Sequence, residues 1–199
     1  MGEKKYEVLK VEPCHRGYFE LDRWHVRHTL FAGGWGKERA LEVFERGHAA
    51  AVLPYDPKTD EVVLVEQFRV AAIPTVDPPW LIEIPAGIID AGEDAETTVR
   101  REVVEEAGLE LKRLKTITRF LPSPGAVTEA IDVFLGEVDA AGAGGIHGLD
   151  DEGEDIRVHV MVADDAIAMA DDGRLIASHT VIALLWLARH REAVRAAWA

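Results

Sequence analysis

Residues 87–109 read Gly87-Ile88-Ile89-Asp90-Ala91-Gly92-Glu93-Asp94-Ala95-Glu96-Thr97-Thr98-Val99-Arg100-Arg101-Glu102-Val103-Val104-Glu105-Glu106-Ala107-Gly108-Leu109. Gly87, Glu93, Arg101, Glu102, Glu105, Glu106 and Gly108 sit at fixed spacings, with apolar Val103 and Leu109 among them. Asp94 to Ala107 is predicted as a helix, with Gly108 at its end, where left-handed geometry favours glycine. Glu102, Glu105 and Glu106 are three and four apart and share one helical face. Three crowded carboxylates repel unless something neutralises them. Alone, such a cluster is usually a solvated acidic face. A divalent cation such as magnesium, which takes one or two carboxylates plus waters and substrate phosphates, is one group that would neutralise these carboxylates.

The chain around this stretch has 199 residues, 48% hydrophobic and 29% charged, enough for one full core or a core with a small appendage. Its net charge of −14 argues against non-specific binding to nucleic acid or anionic membranes, both of which want a basic surface. The longest apolar run, Val181 to Ala188, is too short to span a bilayer. The opening Met-Gly-Glu-Lys-Lys-Tyr lacks an apolar signal core, and Cys14 is the only cysteine, so a reducing cytoplasm is expected. Residues 1–50 hold nine Lys and Arg against eight acids, a net of +1; the remainder holds thirteen against twenty-eight, a net of −15. The balanced part supplies cations to a phosphate or docks against the rest.

Strands are predicted at Tyr6 to Val11, Gly17 to Leu21 and Trp24 to Leu30, with a turn at Leu21-Asp22-Arg23. Gly33-Gly34 breaks the pattern. His48 to Tyr55 and Glu61 to Phe68 form a hairpin around Asp56-Pro57-Lys58-Thr59-Asp60. Further strands are predicted at Trp80 to Ile84, Leu111 to Leu121, Ile131 to Val138 and Ile156 to Val162. A helix capped by Asp164 or Asp165 runs to Ala170, and another covers Thr180 to Trp198. Asp139 to Gly153 is rich in Gly, Ala and Asp and reads as a mobile loop. Strands interleaved with three helices give an α/β fold with a mixed sheet covered on both faces. The expected organisation is a small N-terminal antiparallel β subdomain at 1–47 and a catalytic domain at 48–199.

The 87–109 pattern resembles the Nudix box, the signature of hydrolases that cleave a diphosphate linked to another moiety. The resemblance implies an α/β/α sandwich and a metal site made by Glu102, Glu106 and the backbone carbonyl of Ala86, with Gly87 letting the backbone approach the ion. Glu105 is a further catalytic candidate, and Glu93 and Arg101 are expected to hold loop and helix together. Leu121-Pro122-Ser123-Pro124-Gly125, the stretch Gly145 to Val158 and Phe44-Glu45-Arg46-Gly47-His48 resemble the bacterial ADP-ribose pyrophosphatase branch of that superfamily, from about Arg16 to the end of the chain.

That branch places a general base on a loop after the sheet. Glu152 aligns with the base and Glu154 with a further metal ligand, and the two roles remain exchangeable at this stage. Arg46 and Arg69 match phosphate contacts, a role that suits the planar guanidinium, though either can instead be a structural ion-pair partner. Tyr18 and Phe19 match residues that stack on an adenine, supplied from a partner subunit of a homodimer. Glu42, Ser123 and Glu129 are weaker substrate-contact candidates, and Leu41 stands where relatives can carry a polar group. The eight histidines show no metal-ligand spacing, and His48 and His159 fall in predicted strands. Asp150 to Asp155 lacks the alternation and closing Glu of an EF-hand loop.

The implied activity is hydrolysis of ADP-ribose to AMP and ribose 5-phosphate, with magnesium as cofactor, manganese as the alternative, and roughly two to three ions per site. The implied partners are the nucleotide substrate and a second copy of the chain, with neither nucleic acid nor membrane. Another Nudix specificity, for a nucleotide sugar, a dinucleotide or an oxidised nucleoside triphosphate, is the nearest rival. A nucleotide-binding regulator without catalysis is the rival of a different class, and the intact carboxylate set speaks against it.

Overall fold

The computed structural model describes residues 3–198. In chain order the elements are β1 (Tyr6–Arg16), β2 (Glu20–His28), β3 (Arg39–Glu45), β4 (Ala49–Asp56), β5 (Glu61–Phe68), β6 (Trp80–Glu83), β7 (Ala86–Ile88), α1 (Ala95–Ala107), β8 (Leu114–Phe120), β9 (Ile131–Glu137), β10 (Gly145–His147), β11 (Ile156–Val162), α2 (Ala163–Asp171) and α3 (Ser178–Trp198). Two compact units emerge. One is the chain up to His48 together with Leu121–Ala130; the other is Ala49–Phe120 with the chain from Ile131 onward.

The first unit is a three-stranded sheet in the order β1-β2-β3, antiparallel throughout. Phe44 of β3 bridges Val127, and the Phe44 N–H donates to the Ala126 carbonyl at 2.8 Å, which ties the Pro-rich segment to this sheet. The expected turn at Leu21-Asp22-Arg23 is absent: those residues lie inside β2, and the reversal falls at Gly17–Phe19, where the Gly17 N–H donates to the Phe19 carbonyl at 3.1 Å. Asp22 is buried and paired with Arg16 at 2.5 Å, so its polarity marks an ion pair and not a turn. Strand β3 was not expected; Leu41 and Val43 are half-buried with exposed Glu42 between them, the alternation of a half-buried strand.

The second unit is an α/β/α sandwich around an eight-stranded mixed sheet. Its main path runs β10-β11-β5-β4-β9-β8, with β6 on β5 and β7 on β4. The β4–β9 pair is parallel and the others are antiparallel. All eight residues of β4 are buried, as a strand covered on both faces requires. Ala49, Ala51, Leu53 and Tyr55 point to one core, with Leu64, Leu135, Leu184 and Leu187. Ala50 and Val52 point to the other, with Val63, Val65, Val99 and Val103. Helix α1 therefore covers one face and α2 with α3 the other, and each fully buried Leu or Val contributes roughly 1.5–3 kcal/mol.

The predicted Asp56–Asp60 hairpin is present between β4 and β5. His48 lies before β4, exposed, and its Nδ1 accepts the Ala130 N–H at 3.2 Å, so it is not a strand residue. Helix α2 begins at Ala163 without a side-chain cap; Asp164 and Asp165 sit in its first turn, where they complement the helix dipole. The Gly-rich stretch after β9 contains β10 and a short 3-10 turn at Asp150–Glu152. Among the described residues no helix is long and apolar enough to cross a membrane.

Candidate active site

Helix α1 starts where Asp94 caps it: the Asp94 carboxylate accepts the Thr97 N–H at 2.8 Å. It stops at Gly108, whose φ of 65° is left-handed. Between these ends Val99, Val103 and Ala107 anchor the buried face, which fixes the rotation of the helix and the direction of its carboxylates.

Arg101 is the hub of the exposed side. Its guanidinium donates to Glu93 at 3.2 and 3.3 Å, to Glu102 at 2.7 Å and to Glu105 at 3.0 Å. These contacts raise the Arg101 pKa, the Glu93 bond most. Glu93 also accepts from Thr98 Oγ1 at 3.0 Å, so loop and helix are joined through it. Arg101 and Thr98 together hold the Glu93 carboxyl below the usual carboxylate range.

Glu106 points inward and is 2% exposed. Its Oε2 accepts the Ala86 N–H at 3.1 Å, and its Oε1 faces Gln67 Nε2 at 3.4 Å. Burial pushes its pKa up to about 8, and the charge of Glu102 adds to the effect. Glu102 is raised too, chiefly by burial. Glu154 contributes to the negative field at both residues, so the loop before β11 brings a third carboxylate into the same neighbourhood. Glu154 Oε2 itself accepts the Leu149 N–H at 3.1 Å. Glycine is required at two points here. A Cβ on Gly87 would lie 1.7 Å from Glu102 Oε1, inside the carboxylate, and Gly148 has a φ of +104° with a would-be Cβ 2.6 Å from that of Glu154.

Burial, with neighbouring carboxylate charge adding to it, raises Glu102 and Glu106, and hard oxygens of this kind fit a divalent cation. Among the described residues no three His, Cys, Asp or Glu side chains are grouped closely enough to hold one. Each carboxylate has a protein partner: Arg101 for Glu102, Ala86 and Gln67 for Glu106, Leu149 for Glu154. Glu152 is exposed on the 3-10 turn at the outer part of the loop.

The remaining candidates separate by unit. Tyr18, Phe19, Glu42, Arg46, Ser123 and Glu129 all belong to the N-terminal unit. Arg46 lies 5.6 Å from the Phe19 ring centroid and pairs with buried Glu129 at 3.4 Å. Burial raises the Glu129 pKa, and Arg46 opposes that. Arg46 Nε is buried without a partner among the described residues. Phe19 also packs edge-on to Tyr18 and Phe44, leaving the Tyr18 ring exposed. Glu42 is paired with Arg23 at 2.9 Å, and Ser123 is exposed in its turn. Arg69 belongs to the second unit and donates to Glu83. Gln67 and Glu83 went unnoticed in the sequence; their partners become visible only once strand register is known. A cleft of about 360 Å³ lined by Glu66, Pro78, Trp80, Ile146, Asp155 and Arg157 contains none of the candidates.

The NUDIX domain model matches residues 45–180. The chain belongs to the Nudix family. Its relatives include the ADP-ribose pyrophosphatase of Escherichia coli strain K12, 48% identical over 198 residues, covering 100% of this chain and 95% of the relative. The Haemophilus influenzae ADP-ribose pyrophosphatase is 39% identical over 200 residues, covering 99% and 92%. The GDP-mannose pyrophosphatase of Citrobacter koseri is 37% identical over 150 residues, covering 73% and 76%. A solved structure described as an ADP compounds hydrolase superposes with a TM-score of 0.73 at 18% identity, covering 96% of both chains; that likeness concerns the Nudix fold alone.

Proposed function

We propose that this Nudix protein hydrolyses the diphosphate of ADP-ribose to AMP and ribose 5-phosphate. The observation that carries the reading is the extent of the likeness. ADP-ribose pyrophosphatases match at 48% across the whole chain, including the residues before the NUDIX model, whereas the GDP-mannose pyrophosphatase likeness covers 73% of it.

Glu102, Glu106 and Glu154, with the Ala86 carbonyl, would hold magnesium or manganese, roughly two to three ions in all. Such ions, when bound, cancel diphosphate charge and make a water more acidic. Glu152, exposed on its turn, acts as the base that accepts the proton of the attacking water, and Glu105 assists from the helix. Arg69 offers guanidinium N–H groups to the phosphates, as does Arg46. Tyr18 and Phe19 stack on the adenine, with Glu42, Ser123 and Glu129 as further contacts. A homodimer is proposed, in which the N-terminal β subdomain, 1–47, of one subunit supplies Tyr18 and Phe19 to the catalytic domain, 48–199, of the other. The exposed Tyr18 and Phe31 rings support it. The single Cys14 supports a reducing cytoplasm.

The test is a substrate panel in oxygen-18 water with magnesium: ADP-ribose, GDP-mannose, a dinucleotide and an oxidised nucleoside triphosphate. AMP and ribose 5-phosphate from ADP-ribose, one of them carrying the label, are expected. A higher kcat/KM for GDP-mannose would reassign the substrate. Sedimentation equilibrium reads the dimer.

A further inference from the structure

We infer that Glu83 is a positioning residue that holds the Arg69 guanidinium in place for the substrate phosphates, an inference that rests on the phosphate role just proposed for Arg69. Glu83 ends β6, and the β5–β6 register sets it opposite Val65. Opposed residues on paired strands face the same way; alternation along β5 puts Val65 and Gln67 on that face, and Arg69 follows in extended backbone (φ −124°, ψ 103°) just past the strand's end. Val65 packs with the core under α1, and Gln67 reaches Glu106. Glu83 and Arg69 therefore stand on the face that carries the acidic cluster, and the positive charge of Arg69 is felt at Glu106.

The contact between them is built to hold a direction. Arg69 Nε donates to Glu83 Oε2 at 2.8 Å, and Nη2 lies 2.8 Å from the same oxygen as an ion pair. The Arg69 backbone N–H donates to the Pro79 carbonyl at 2.9 Å, so the base of the side chain is fixed as well as its tip. The Glu83 side chain is 5% exposed and that of Arg69 is 40% exposed. The anchor is thus enclosed while the guanidinium stays open, with Nη1 making no other side-chain bond among the described residues. Arg69 is the only cation paired with Glu83 among them. His179 feels the Glu83 charge, but burial lowers its pKa and it makes no bond to Glu83 among the described residues. A free arginine would lose its rotamer freedom on meeting substrate; one already held by Glu83 loses little.

The experiment is a double-mutant cycle in kcat and KM for ADP-ribose, with Glu83→Gln, Arg69→Ala and the pair. Glu83→Gln keeps volume and an acceptor but removes the charge. Expected is a fall in kcat/KM of about tenfold to a hundredfold in the wild-type background, and of less than about threefold in Arg69→Ala, with the half-saturating magnesium concentration unchanged. Wild-type kinetics in Glu83→Gln, or an equal loss in both backgrounds, overturns the positioning role. Should Glu83→Gln fail to fold, Glu83→Asp is read in its place; unfolding of both variants makes Glu83 structural and overturns it too. If the wild-type protein ignores ADP-ribose but cleaves another member of the panel, the substrate reading fails, and the same cycle on that compound still decides Glu83.

Discussion

The Ala86 N–H donates to Glu106 Oε2 at 3.1 Å, so the strand that opens the Nudix box and the helix that closes it meet at one buried carboxylate. Strand β7 is held in turn by β4, where Ala51 pairs with Ala86. The orientation of Glu106 thus depends on the central strand of the sheet as well as on its own helix.

Glu106→Gln separates the metal role of this residue from its structural one. The amide oxygen still accepts from Ala86, so the fold is retained. Steady-state turnover should fall by about a hundredfold or more, with a weakened response to magnesium. Thermal unfolding should show the opposite order without metal. The Glu106 pKa is raised to about 8 by burial, so the unfolded chain releases this proton well before the folded protein does. Metal-free wild-type stability should therefore fall as pH rises from the ordinary carboxylate range to about 8, and the Gln variant should lack that slope. Added magnesium should raise the wild-type Tm by mass action and the variant Tm less.

Gly87→Ala tests the close packing of backbone on carboxylate. The added methyl would stand 1.7 Å from Glu102 Oε1, so either β7 or the Glu102 side chain must move. Urea unfolding should show a loss of about 1–3 kcal/mol, and magnesium should stabilise the variant less than wild type. An alanine protein with unchanged metal response would show that the Glu102 position seen here is not the one that binds the ion.

Arg101→Lys keeps the charge and removes the fork. Arg101 reaches Glu93, Glu102 and Glu105 simultaneously, which a single ammonium cannot do with the same geometry. Activity should drop by about tenfold, since Glu102 and Glu105 lose their common restraint. A thermal scan should show a smaller change, because the partly exposed ion pairs contribute little to stability.

The parts of the fold legible in the sequence were those governed by local rules. Helix α1 was read from its carboxylate spacing and from Gly108, and the β4–β5 hairpin from its Asp-Pro turn. Strand β3 carried a period-2 signal in Leu41 and Val43, obscured by Gly33-Gly34, which breaks the strand pattern just before it. Strands β7 and β10 are three residues each, too short to show any periodicity. The pairs Arg69–Glu83 and Gln67–Glu106 are 14 and 39 residues apart and exist because of strand register and helix packing, so no local pattern marks them. Arg46 and Glu129, 83 apart, meet because the Pro-rich segment returns to the N-terminal sheet.

Asp56 sets part of the acid stability. It ends β4, is 3% exposed, and accepts the Lys58 N–H at 2.9 Å and the Ala140 N–H at 3.0 Å. Burial alone would raise its pKa, but the backbone donors of Ala140, Lys58 and Thr59 outweigh that and leave it below the ordinary value. A carboxylate with a depressed folded pKa stabilises above its unfolded pKa, and that stability is lost as pH falls through the folded value. Urea unfolding of the wild type should therefore weaken progressively below the ordinary carboxylate range. Asp56→Asn should lose the portion of this slope owed to Asp56. Asp56→Ala leaves the Lys58 and Ala140 N–H groups, among others, without their acceptor and should cost about 2–4 kcal/mol at neutral pH. An Asp56→Asn profile that superimposed on the wild type in shape would assign the acid sensitivity to other carboxylates, Glu137 with its Arg113 partner foremost among them.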